Sequence, residues 1–176
     1  MKSAALRAVP LLLLVLPLVA WSQGPTPRRV TEAIDIKAAP DKVWALAGDF
    51  AGMNKWNPLV IACSADKGYA VDSQRHVVLK NGAELVDSMD WYDTAQMSYT
   101  YRLMNVPGEG LPVSFYSATL AVTPGPGGSH VTWTGNFYRA DTHNEPAEGQ
   151  DDESAEKAMH EFLAAGLQGL KQTAEK

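Results

Sequence analysis

The chain has 176 residues, with 15 Lys and Arg against 20 Asp and Glu, one Cys and 45% hydrophobic residues. This composition belongs to a globular chain, and a formal charge of −5 lacks the basic excess of a nucleic-acid binder. One Cys excludes an internal disulfide and a Cys-based zinc site, and the length suits a single domain.

Residues 1–22 read as a secretory signal peptide. Lys2 and Arg7 precede an apolar run from Val9 to Ala20, which is too short to span a bilayer. Ala20 and Ser22 are small residues placed for cleavage before Gln23. Cleavage there leaves 154 residues and removes two basic side chains, so 13 basic residues face 20 acidic ones, a balance of −7. No stable membrane span is then expected, and a periplasmic location follows, with full secretion as the other outcome. Residues 23–29 are expected to be a mobile, Pro-rich lead-in to a domain over 30–176.

Val30 to Ile36 is rich in β-branched residues and predicts a first strand. Pro40 opens a short helix to Ala47, where its missing N–H costs nothing. Phe50 to Lys55 predicts a second short helix, closed by Trp56-Asn57-Pro58. Strands follow over Val60–Ser64, Gln74–Leu79, Ala83–Met89, Met97–Met104, Val113–Thr123 and Val131–Arg139, several of them alternating with period two. Asn81-Gly82 marks a hairpin between the second and third of these. Read as a two-residue turn, it pairs Leu79 with Glu84, His76 with Asp87 and Arg75 with Ser88.

Met159, Phe162, Leu163, Gly166, Leu167 and Leu170 recur at helical spacing and predict a long C-terminal helix. Gly166 and Gly169 inside it each cost about 1 kcal/mol against Ala, which implies close approach on that side. Hairpin-length links make the sheet antiparallel, and the helix must bury its stripe against it. The expected fold is α+β: a curved seven-stranded antiparallel sheet wrapped around one long helix, with two short helices after the first strand.

The stretch from Ile34 to Leu46, followed by Gly48-Asp49-Phe50 and Trp56-Asn57-Pro58, resembles the opening of the SRPBCC superfamily. These are the START-like, birch-pollen-allergen-like helix-grip proteins. The element order over Val30–Ala174 is similar as well. The export signal, the segment Gly48–Trp56 and Val131-Thr132-Trp133-Thr134-Gly135 look like the exported, MxaD-type members of the polyketide cyclase/dehydrase-like group. This resemblance implies a deep cavity between sheet and helix that holds an apolar ligand. It implies no particular reaction, because the superfamily hosts carriers, receptors and cyclases. An MxaD-type role implies a periplasmic, methanol-type dehydrogenase or its cytochrome as partner.

The residues with chemistry to offer are mostly aromatic. Trp44, Phe50, Trp56, Tyr99, Tyr101, Tyr116, Trp133, Phe137 and Phe162, with Met159 and Leu163, are candidates to pack the core or to line such a cavity. Alternation puts Tyr99 with Tyr101 on one face, and Trp133 with Phe137 on one face. A cyclase or dehydratase needs an acid/base pair, for which His76, Glu84 and Asp87 are the candidates. His130, His143 and His160 are too scattered to form a metal site, and no cofactor motif is present. Asp141 to Glu156 holds seven acids and no Lys or Arg, and Asp151, Asp152 and Glu153 within it are a candidate surface for a basic partner. Non-catalytic binding of an apolar small molecule is the leading expectation, with the accessory role and the enzyme as alternatives.

Overall fold

A computed structural model describes residues 25–176; the signal-peptide reading of residues 1–22 lies outside the described residues. The elements run β1 (Arg28–Ile36), α1 (Pro40–Ala47), β2 (Val60–Ala65), β3 (Gln74–Leu79), β4 (Glu84–Asp93), β5 (Ser98–Leu103), β6 (Val113–Gly125), β7 (Gly128–Arg139) and α2 (Asp152–Ala174). The seven strands form one antiparallel sheet in the order β1-β7-β6-β5-β4-β3-β2. After β1 the chain crosses by α1 to the far edge at β2. It then returns strand by strand to β7, which pairs with β1. α2 packs on β1, β7 and α1. Among the described residues no helix is long and apolar enough to cross a membrane.

Three expectations are corrected. The first strand begins at Arg28, so two residues assigned to the lead-in pair with Phe137 and Asn136. The second short helix is only a 3-10 turn over Met53–Lys55, cut short because Trp56 and Asn57 turn away to dock on α2. The third correction is the β3–β4 register. The observed pairs are Val78 with Glu84, Val77 with Leu85 and Arg75 with Asp87. The turn holds three residues, Lys80-Asn81-Gly82, closed by Leu79 N–H donating to Ala83 O at 2.9 Å and Gly82 N–H to Leu79 O at 3.0 Å. Gly82 takes φ +88°, the left-handed residue that a three-residue hairpin needs. A one-residue slip changes every partner. His76 therefore faces Val86, and Asp87 faces Arg75.

α2 supplies the inner layer. Met159, Phe162, Leu163, Leu167 and Leu170 are buried along one stripe, each stabilising by roughly 1.5–3 kcal/mol against exposure. Both helix glycines are used for approach. A Cβ on Gly166 would stand 2.7 Å from the Trp133 ring, and one on Gly169 would run into the Trp56 carbonyl oxygen. Outside the stripe, α2 is tied to β1 by His160 Nδ1 at 2.6 Å from Glu32 Oε1, and by Lys171 Nζ donating to Asp35 O at 2.5 Å.

Candidate functional site

Tyr99, Tyr101, Tyr116, Trp133 and Phe137 all lie buried on the concave face, so the two aromatic faces expected from alternation coincide. α1 contributes Trp44 and the segment after it Phe50, both buried against the same cluster. Rings meet in series: Trp44 to Tyr99 at 6.1 Å, Phe50 to Tyr99 at 5.9 Å, Tyr99 to Tyr101 at 5.8 Å, and Trp133 to Phe162 at 5.5 Å between centroids. Trp133 Nε1 donates to the Tyr101 hydroxyl at 3.2 Å, and that hydroxyl shares a hydrogen bond with Tyr116 at 3.0 Å. Burial pushes the phenols of Tyr99, Tyr101 and Tyr116 above their ordinary value, so they act as neutral hydrogen-bonding groups.

Inside this aromatic shell sits an ion pair. Arg75 donates to Asp87 Oδ2 through Nε at 3.0 Å and Nη2 at 2.6 Å, and both side chains are buried. The guanidinium carbon lies 4.2 Å from the Phe50 ring centroid and 4.5 Å from that of Tyr101. Cation–π attraction at desolvated sites is worth about 2 kcal/mol, which offsets part of the cost of burying the charge. Burial is the largest single influence on Arg75 and would weaken its charge, but Asp87, joined by the Tyr99, Tyr101 and Cys63 side chains, outweighs it and holds the guanidinium above its ordinary value. Burial pushes the Asp87 carboxyl up, and Arg75 opposes the shift. A neutral Asp87 would leave Arg75 without a counter-charge, so the pair is ionised at neutral pH. Asp87 Oδ1 has no hydrogen-bond partner among the described residues.

The deep cavity implied by the resemblance is thus occupied by side chains. Open space remains at one end, where the β3–β4 turn, a 3-10 turn at Gly108–Gly110 and α2 meet. A pocket of about 130 Å³ is lined there by Leu59, Leu79, Leu111, Ala158 and Phe162, with Lys80, Asn81, Gly110 and Glu161 also on its wall. Asn81 holds the two turns together, its Nδ2 donating to Gly110 O at 2.7 Å. Of the residues expected to line a cavity, Phe162 is in this pocket. Trp133 stands directly behind it, and Trp56 meets Trp133 edge-on with centroids 5.7 Å apart. Met159, Leu163 and Phe137 are core residues further along.

The candidate acid/base residues are not brought together. His76 and Glu84 are exposed on the other face, and Asp87 is engaged by Arg75. A two-residue turn would set Arg75 opposite Ser88, whereas the observed register sets it opposite Asp87. The parity of Arg75 with Val77 and Leu79 would have placed it inside without knowledge of the turn, as would that of Asp87 with Leu85 and Met89. The scattered histidines each meet a carboxylate: His130 with Asp35 at 2.7 Å, His143 with Asp141 at 2.6 Å, His160 with Glu32. The Cys63 thiol is half-buried and lies 3.7 Å from Phe50 O, and burial pushes its pKa up. In the acidic segment, Asp151 accepts from Ser154 N–H at 2.8 Å as the N-cap of α2. Asp152 meets Arg139 at 3.1 Å and Arg28 at 3.5 Å, while Glu153 is exposed.

A curled antiparallel sheet closed over one long C-terminal helix, with an aromatic interior between them, defines a helix-grip protein. The chain belongs to the polyketide cyclase / dehydrase and lipid transport family, whose model matches residues 27–175. No curated protein matches it by sequence. Among solved structures it is similar to an uncharacterised protein from Bacillus thuringiensis, at 25% identity, covering 85% of this chain and 100% of that one, with a TM-score of 0.70. It is also similar to the protein XoxI from Bacillus cereus, at 26% identity over 82% of this chain and 93% of that one, TM-score 0.68. The Zhui aromatase/cyclase from a Streptomyces species shares the fold at 19% identity, 85% and 94% coverage, TM-score 0.64.

Proposed function

We infer that the protein binds an apolar small molecule, without catalysing a reaction on it, in the pocket between the two turns and α2. The observation that carries this is the pocket itself: an apolar floor at Phe162, aliphatic walls at Leu59, Leu79 and Leu111, and polar groups only at Lys80, Asn81, Gly110 and Glu161. Apolar lining with few polar contacts is the general form of a ligand site. Size narrows the ligand. Pockets for drug-sized molecules run from about 300 Å³ upward, whereas a cavity of about 150 Å³ accepts benzene. At about 130 Å³ this pocket takes one ring or a short branched alkyl group, and a larger ligand would leave its remainder outside. Support for a non-catalytic role comes from the carboxylate and imidazole candidates, which face away from the pocket or are held in an ion pair.

Ala158 gives the test, because it lines the pocket from a helix position where Leu is tolerated. Binding of benzene, followed by isothermal titration calorimetry, should be present in the parent and lost in Ala158→Leu, with the melting temperature retained. Equal benzene binding in both proteins would place the ligand elsewhere and defeat this reading.

A further inference from the structure

At one end of the sheet, the face turned away from α2 carries an apolar region that ligand binding leaves unused. Over most of β5 to β7 that face presents Thr100, Thr119, Thr132, Thr134 and Asn136. Near the start of β6, Met104, Val106 and Phe115 are instead 52%, 63% and 77% exposed. Phe115 stands where the β6–β7 register shifts between Ser114 and Ser117, at φ +48°. Bulky residues avoid that conformation, so backbone strain here accompanies an aromatic ring turned toward water. The ring meets Tyr138 edge-on, with centroids 6.0 Å apart at 84°. A groove of about 550 Å³ is lined by Phe115, Tyr138, Thr142 and Pro25, and Phe115 also borders a smaller hollow beside Met104 and Val106.

The wall at Thr142 belongs to the loop after β7. Arg139 fixes it by donating to the carbonyls of Asp141 and His143, both at 2.7 Å. Glu145 and Glu148 of this loop are exposed, and from Asp141 to Glu156 the chain has no Lys or Arg. An anionic lipid surface would be repelled by this wall, whereas a basic segment would be steered to it.

We propose that the groove docks a basic segment of a partner protein, with one aromatic side chain seated against the Phe115 and Tyr138 rings and Lys or Arg facing Glu145 and Glu148. The test titrates the ¹⁵N-labelled full chain with a lysine-rich heptapeptide bearing a central tryptophan. Two control peptides replace the tryptophan by alanine, or the lysines by glutamates. Amide shifts should gather at Phe115, Tyr138, Thr142 and Glu145. Affinity should fall about tenfold for the alanine peptide, and binding should vanish for the glutamate peptide. It should also fall about tenfold at roughly 0.5 M salt, where charges are screened beyond about 4 Å. Phe115→Gly removes the ring and accepts the positive φ, so it should melt no lower than the parent yet bind the peptide about tenfold more weakly. Glu145→Gln with Glu148→Gln should flatten the salt dependence. The proposal is overturned by shifts outside the groove or none at all, by equal binding of the lysine and glutamate peptides, or by unchanged affinity in Phe115→Gly. Groove shifts that track protein concentration alone would name a second copy as occupant and overturn it. A stronger groove response to phosphatidylglycerol vesicles than to the peptide would name a membrane and do the same.

Discussion

Arg75 and Asp87 show how a buried charge is tolerated: each is the other's counter-ion, and two rings flank the guanidinium. Removing one partner should cost more than removing both. Asp87→Ala is expected to lose about 3–5 kcal/mol, because it leaves Arg75 buried and unpaired. Arg75→Met combined with Asp87→Leu should return to within about 1 kcal/mol of the parent, or exceed it. Urea melts decide this, and equal losses in the single and double variants would contradict the account. A second residue-scale prediction concerns pH. N–H groups of His143 and Ala147 donate to Asp141 and hold its carboxyl down at about 2, below the ordinary 3.8. A depressed acid stabilises the fold above its ordinary value and stops doing so as pH falls through the folded one. The order of the 141–147 loop should therefore fade between about pH 4 and pH 2. A carboxyl NMR midpoint near the ordinary value would show that these bonds do not form. At this scale much was legible. Parity alone put Tyr99 with Tyr101 and Trp133 with Phe137. Which charges face each other depended on turn length, and Asn81-Gly82 fits both a two-residue turn and a three-residue turn ending in left-handed Gly82.

Elements were easier to read than their joints. Pro40 marks α1 and the apolar spacing marks α2, because helical starts and stripes have local causes. The shifts in register within β4 and β6 have no such local signal, and they decide that Trp91 and Phe115 point outward. Gly166 and Gly169 carried a legible hint, since a helix tolerates two glycines only for a reason. The reason is the seating of Trp56-Asn57-Pro58 and Trp133 on α2. Gly169→Ala should destabilise by about 1–3 kcal/mol despite its better helix propensity, because the obstructing atom is a backbone carbonyl that has little room to move. A gain in stability on thermal melting would mean that this loop is not seated on the helix as described. The acidic start of α2 also reads differently at this scale. Asp151 caps the helix and Asp152 joins Arg28 and Arg139, so two of the three acids considered for a partner serve the fold.

For the molecule as a whole, the alternation of apolar residues and the short links were sufficient to specify a seven-stranded antiparallel sheet around one helix. The resemblance over Ile34–Trp56 pointed to the family that residues 27–175 match. The position of the open space was not legible. Its walls at Leu59 and Leu111 come from non-periodic loops, and how far the interior is filled depends on where the rings of Phe50, Tyr99, Tyr101 and Trp133 settle. The central claim is that an apolar ligand binds beside Phe162. Intermolecular NOEs between benzene and the protein test it most directly. Contacts to the Phe162 ring and to the methyls of Leu111, Leu79 and Ala158 are predicted. NOEs confined to other surfaces, or none at a benzene concentration that saturates any binding seen by calorimetry, would contradict it.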